Sequence, residues 1–191
     1  MNPQSPAVET TAPVNDPAAT ATLLPILVAP HATLKLRCRP VGPADDAAVR
    51  DLVGRMFAAM YDAPGIGLAA PQVGIALRVA VIDLAPDDKR QPHVLVNPEI
   101  VVASKELATR EEGCLSLPNM YADVIRPAQV KIRYLDLQGV RREMQGDGLL
   151  AACLQHEIDH LDGVLFIDHL SALKRNMILR KLAKDLKAKV R

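Results

Sequence analysis

His156-Glu157-Ile158-Asp159-His160 is the segment whose residue types and spacing point most directly to chemistry. In a helix, residues four apart stand one above the other on a single face. Two imidazoles placed in this way can aim at one metal ion. Glu157 lies beside them, close enough to exchange a proton with a water on that ion without being a required ligand. Hydrolysis is the chemistry such a pattern serves, with the ion as Lewis acid and the carboxylate as general base. Two histidines do not complete the set, because a catalytic zinc-like centre takes three protein ligands and keeps a fourth position for water.

The usual downstream ligands are missing. No Glu follows Glu157, so a peptidase arrangement with a later Glu ligand fails. The extended form H-E-x-x-H-x-x-G-x-x-H fails too: Gly163 falls in register, but the last position is Phe166, which cannot bind a metal. Asp162, Asp168 and His169 are further downstream candidates with no known pattern behind them. Upstream, Cys153 lies one turn before His156 on the same helix face. A helix would hold its thiol several ångströms back from the ion, which suits a cavity wall. Cys38, in the basic stretch Arg37-Cys38-Arg39-Pro40, reads as structural. Cys114 sits in Glu111-Glu112-Gly113-Cys114-Leu115-Ser116-Leu117-Pro118, a loop-like context, and is the best of several choices.

These groups need a scaffold. Pro43, Ala44 and Asp45 open a helix in which Val49, Leu52, Val53, Met56, Phe57 and Met60 recur at spacings of three and four, ending near Asp62. Residues 78–84, 93–102 and 129–137 have the β-branched content and partial alternation of strands. Residues 23–29 suggest a short extended segment. Gln138-Gly139 marks a hairpin turn into residues 140–145. Residues 149–161 return to helix, with Leu149, Leu150, Leu154 and Leu161 on an apolar side. Residues 171–190 form another helix, with Leu173, Met177, Leu182 and Leu186 on one side. The order helix, strands, helix, helix is no regular βαβ alternation, so the fold class is α+β with antiparallel or mixed sheets around the His-bearing helix.

Composition sets the outer bounds. The 191 residues are 49% hydrophobic and 24% charged, which suits one globular domain. Aromatics make up 3% and Trp is absent, so the core must be aliphatic. Three cysteines argue against a disulfide framework and for a reducing compartment. No apolar run approaches the 18 or so residues of a membrane span. Residues 1–34 contain no Lys or Arg, which fits neither a secretory signal nor a mitochondrial presequence, so a cytoplasmic location is expected. Residues 1–22, rich in Pro, Ala and Thr, are expected to be a disordered tail ahead of a domain at 23–170 and its C-terminal helix.

Three segments then combine. Gly65-Ile66-Gly67-Leu68-Ala69-Ala70-Pro71-Gln72, Glu112-Gly113-Cys114-Leu115-Ser116-Leu117-Pro118 and Gln155-His156-Glu157-Ile158-Asp159-His160-Leu161 resemble the three signature motifs of the peptide deformylases, in order and spacing. The similarity spans roughly residues 23–191. Pro71 stands at a variable position, Thr or Ser in other members, and Gln72 is retained. The resemblance implies that Cys114, His156 and His160 hold one Fe²⁺ per chain, with Zn²⁺ or Ni²⁺ able to substitute. It implies attack by metal-bound water, with Glu157 relaying the proton and the Gln72 amide and Leu115 N–H stabilising the oxyanion. Backbone groups of Ile66, Gly67 and Gly113 would pair with an extended substrate, with Gly65 and Gly67 leaving room for its approach. Ile66, Leu149, Ala152 and Cys153 would line a pocket for a methionine side chain. The implied substrate is the formyl-methionyl end of nascent polypeptides, yielding formate and a free N-terminal methionine. Rival readings are a zinc-dependent peptidase and a non-catalytic metal-binding, ribosome-associated protein.

Two further features need weighing. Gly65-x-Gly67-x-x-Ala70 superficially matches a dinucleotide fingerprint, but it follows a helix and precedes a strand, the reverse of the required order, so no nucleotide cofactor is implied. Residues 171–191 carry eight bases against one acid, Asp185, a local net charge of +7 within a chain of +1. A basic helix of this kind can bind RNA phosphates, and related bacterial enzymes dock a C-terminal helix on the ribosome; a solvated helix face is the bland alternative.

Overall fold

Strand β2 (Val79–Ile82) has all four residues buried. In the computed structural model, which describes residues 23–85 and 89–189, this strand has a helix on each face. The sequence reads as continuously apolar there for that reason. Val79 and Val81 face α1 (Asp46–Asp62), meeting Val49, Leu52, Val53, Met56 and Met60. Ala80 and Ile82 face α2 (Gly148–Leu161), meeting Ala151, Leu154, Ile158 and Leu161. The expected apolar face of α1 is therefore its buried face. The helix follows a 3₁₀ turn at Pro43–Asp45, where Gly42 N–H donates to Asp45 Oδ2 at 2.9 Å.

The main sheet is antiparallel, in the order β1-β2-β3-β6-β7. Its other strands are β1 (Gly67–Ala69), β3 (His93–Ala103), β6 (Gln129–Leu135) and β7 (Arg141–Asp147). β6 and β7 are joined by the expected turn, with Gly139 at φ 76° and Asp136 Oδ1 accepting from Gln138 and Val140 N–H at 3.0 and 2.8 Å. A second, two-stranded sheet pairs β4 (Leu107–Cys114) with β5 (Leu117–Pro127). The α+β class holds.

Several elements depart from expectation. Cys114 ends a strand and does not sit in a loop. Leu107–Cys114 is mostly polar because the hairpin has one solvated face, so the apolar alternation that marks a strand is absent. β1 is only three residues long. Segment 23–29, expected only to be extended, joins neither sheet; Leu27 and Ala29 N–H donate to the Gln72 and Ser116 carbonyls at 2.7 and 2.9 Å. Leu149 is exposed, although Leu150 and Ala151 beside it pack onto the core. In α3 (Ala172–Lys189), Leu173 and Met177 are 72% and 61% exposed. The helix docks along Ile178, Leu179, Leu182 and Leu186 onto Leu117, Met120, Val124 and Phe166, and residues 173 and 177 point to another side at 100° per residue. The expected tail at 1–22 lies outside the described residues, and no described helix is long and apolar enough to cross a membrane.

Candidate metal centre

Helix α2 is pressed against the sheet by Ala151, Leu154, Ile158 and Leu161, which leaves His156, Glu157 and His160 directed toward the β4–β5 hairpin. The two imidazoles cross edge to face, with ring centroids 4.9 Å apart. Cys114 reaches them from the end of β4. The register shifts between Gly113, which pairs with Tyr121, and Cys114, which pairs with Leu117. Such a break in register, like a bulge, re-aims a side chain. Cys114 Sγ lies 3.2 Å from His160 Nε2, and one ligand atom from each of Cys114, His156 and His160 falls within 4.8 Å of the others. Among the described residues this is the one such group of three or more potential ligands.

Further contacts fix these candidate ligands. His156 Nδ1 donates to Glu112 Oε2 at 3.0 Å, leaving Nε2 to face the sulfur and an ion. His156 also stacks on Phe166, with centroids 6.3 Å apart. Burial opposes a charge on His156, yet Cys114 and Glu112 hold its pKa well above the usual value. The same negative surroundings favour a cation. Burial and the neighbouring His156 push His160 well below its usual value, so its ring is neutral, as a ligand must be. A thiolate with two imidazoles suits Zn²⁺, Fe²⁺ or Ni²⁺.

Glu157 is 3% exposed, and its Oε2, like His160 Nδ1, is buried with no protein partner. Buried polar atoms are normally paired, so an orphan here suits a site that receives water or substrate. Burial, reinforced by Glu112 and Asp159, raises the Glu157 pKa to about 7 despite His156 and Arg126. Such a carboxyl both accepts and returns a proton near neutral pH.

Gln72 lies in the 3₁₀ turn Ala70–Val73. Its Oε1 accepts from Ala69 N–H at 2.8 Å, which turns its amide donor toward Ser116 Oγ at 3.1 Å and Cys114 Sγ at 3.6 Å. Leu115 follows Cys114 in the turn between β4 and β5. A cavity of about 860 Å³ opens onto these groups. Ile66, Gly67, Gly113, Leu149, Ala152 and Cys153 line it, with Gln72, Cys114, Leu115, His156 and Glu157, while His160 lies buried behind them. Cys153 lies on the cavity wall: it donates to Ile66 O at 3.8 Å, and burial pushes its thiol pKa well up.

The room left by Gly65 and Gly67 is filled by the protein itself, contrary to expectation. A Cβ at Gly67 would stand 2.4 Å from Glu157 Oε1, and one at Gly65 would stand 2.7 Å from Leu115 Cδ1. These glycines leave space for the Glu157 carboxylate and the Leu115 side chain. Asp162, Asp168 and His169 are occupied elsewhere, with Arg78, Lys35 and Asp159 respectively.

The family model of the polypeptide deformylases matches residues 23–176. The chain belongs to that family. As a polypeptide deformylase it is an enzyme, a hydrolase. Peptide deformylase from Mesorhizobium japonicum is 53% identical over 165 residues, covering 84% of this chain and 93% of the relative. Among solved structures, peptide deformylase from Legionella pneumophila is 46% identical with a TM-score of 0.83, covering 89% of this chain and 99% of that one. A Met-Ala-Ser-bound class I type b peptide deformylase from Acinetobacter baumannii is 36% identical with a TM-score of 0.74, covering 79% and 100%.

Sequence reasoning missed the polar groups behind the deformylase site: Glu112, Ser116, Arg126 and Asp159. Glu112 had a signal, since it lies two residues from Cys114 and shares its face if the segment is a strand. Arg126, twelve residues from the nearest ligand in sequence, had none.

Proposed function

We propose that this chain removes the formyl group from formyl-methionyl nascent polypeptides, using one divalent ion held by Cys114, His156 and His160. The observation that carries this reading is the convergence of those ligand atoms within 4.8 Å, beside an unpaired buried Glu157 and at the floor of a cavity. Fe²⁺ is the proposed resident ion, with Zn²⁺ or Ni²⁺ able to replace it. When bound, the ion supplies Lewis acidity and lowers the pKa of water from 15.7 toward about 7.

Glu157 takes the proton of the attacking water and returns it to the leaving amine. Gln72 donates to the developing oxyanion without titrating, and its orientation is preset by Ala69 N–H. The Leu115 N–H is the second donor. β1 is the edge strand of its sheet, and with the end of β4 it flanks the cavity, which supports main-chain pairing of an extended peptide beside Gly67 and Gly113. Ile66, Leu149, Ala152 and Cys153 form the apolar wall for the methionine side chain; a peptide beginning with Met is bound by the Acinetobacter baumannii relative. Nascent chains as substrate imply a cytoplasmic enzyme.

The test is formate release from a formyl-Met-Ala-Ser peptide. The metal-loaded protein releases formate and the chelated protein does not; no release from loaded, folded protein removes the proposal.

Exposed Lys174, Arg180, Lys181, Lys184 and Lys187 on α3 support docking on ribosomal RNA. Replacing Lys181, Lys184 and Lys187 by Gln leaves the packed face of α3 intact. Salt-sensitive ribosome co-sedimentation should weaken; unchanged sedimentation removes this second proposal.

A further inference from the structure

Arg126 joins the two elements that bring the ligands together. It lies on β5 and is buried. Its Nε and Nη2 donate to the two carboxylate oxygens of Glu112 at 2.6 and 3.0 Å. Glu112 Oε2 also accepts from His156 Nδ1. The remaining arm, Nη1, donates to Asp159 Oδ2 at 2.7 Å, and Asp159 is held from outside by His169 Nε2 at 2.7 Å. Glu112 stands two residues before Cys114 on β4, whereas Asp159 stands between Glu157 and His160 on α2. One guanidinium thus spans the strand that carries the sulfur and the helix that carries the nitrogens.

A flat fork with donors at fixed angles suits that joint, and a lysine cannot copy it. Buried ion pairs are weak contributors to net stability, so geometry is the better reason for a buried charge here. We propose that Arg126 is a positioning residue for the metal centre. Its Glu112 arm fixes the proton of His156 on Nδ1 and presents Nε2 to the ion; its Asp159 arm sets the distance between hairpin and helix. The proposal rests on the reading that Cys114, His156 and His160 hold a metal.

The experiment compares Arg126→Lys with the unchanged protein. Zn²⁺ affinity is read by competition with a chromogenic chelator, and the absorption spectrum of the Co²⁺-loaded form reads sulfur contact and ligand geometry. Circular dichroism and thermal unfolding of the metal-free forms check the fold. Arg126→Lys should bind Zn²⁺ about 10–100-fold more weakly, with an altered Co²⁺ spectrum. A folded Arg126→Lys with unchanged affinity and spectrum overturns the proposal. Should Arg126→Lys fail to fold, Asp159→Asn weakens one arm and leaves Glu112 and both rings in place. It should weaken Zn²⁺ binding in the same direction, several-fold, and unchanged affinity overturns the proposal as well. Affinity is independent of formate release: tight Zn²⁺ binding without release would sink the deformylation reading alone, and no Zn²⁺ binding by the unchanged protein would sink both.

Discussion

Helix α2 and the β4–β5 hairpin bring the proposed ligands to one centre, but they are held differently. α2 is anchored by apolar packing: Ala151, Leu154, Ile158 and Leu161 lie against Ala80, Ile82, Leu95, Val130 and Ile132. The hairpin has one covered face. Leu107, Tyr121 and Ile125 on its other face are exposed, and Arg126 ties the covered side to α2. The nitrogens are thus fixed within one apolar cluster, and the sulfur beside a second one, built from Leu117, Met120, Val124 and Phe166, with a break in register and the Arg126 contacts added. The division suits a hydrolase: a helix packed along its length holds the proposed proton relay in place, and a hairpin with one solvated face leaves the cavity open to a peptide.

Substitutions can sharpen or break this contrast. The largest effect is expected at Glu157, the proposed proton relay on α2. Glu157→Gln should lower kcat/KM for deformylation by roughly 10²–10⁴-fold while bound metal, by elemental analysis, stays at one per chain. Retained activity would remove Glu157 from the relay. Next comes Gly67→Ala, which drives a Cβ into the Glu157 carboxylate and the Cys153 sulfur. A displacement of about 1 Å at a catalytic group costs on the order of 10²-fold, and steady-state kinetics with near-normal metal content should show it. A fully active Gly67→Ala would mean that Glu157 has room to move.

The two halves also differ in what they contribute to stability. Leu154 is 0% exposed within α2, and Leu154→Ala should cost about 2–5 kcal/mol in denaturant unfolding of the metal-free protein. Ile125 is 62% exposed on the hairpin, and Ile125→Ser should change stability by less than about 0.5 kcal/mol. Equal losses at the two positions would erase the distinction between the packed face of α2 and the solvated face of the hairpin.

The same contrast explains what the sequence made legible. α2 announces itself because its ligands stand at i and i+4 on an apolar helix. α1 does so because Val49 to Met60 repeat at helical spacing, and β2 because both of its faces are buried. The hairpin is nearly silent: Leu107–Cys114 has acids and a base where a core strand would have Val or Ile, so Cys114 could be placed only by its motif. Leu173 and Met177 mislead because an apolar residue on a helix need not lie on the stripe that docks. Arg126 and Asp159 are invisible in one dimension, since their partnership exists only once hairpin and helix meet. Gly67 was assigned room for substrate, whereas the space belongs to Glu157, a fact that needs the fold.

X-ray absorption at the metal edge of the Zn²⁺-loaded protein tests the central claim most directly. One sulfur at about 2.3 Å and two imidazole nitrogens at about 2.0–2.1 Å are expected, with the sulfur shell lost in Cys114→Ser. A shell of nitrogen and oxygen alone in the unchanged protein would contradict the joining of hairpin and helix through one ion.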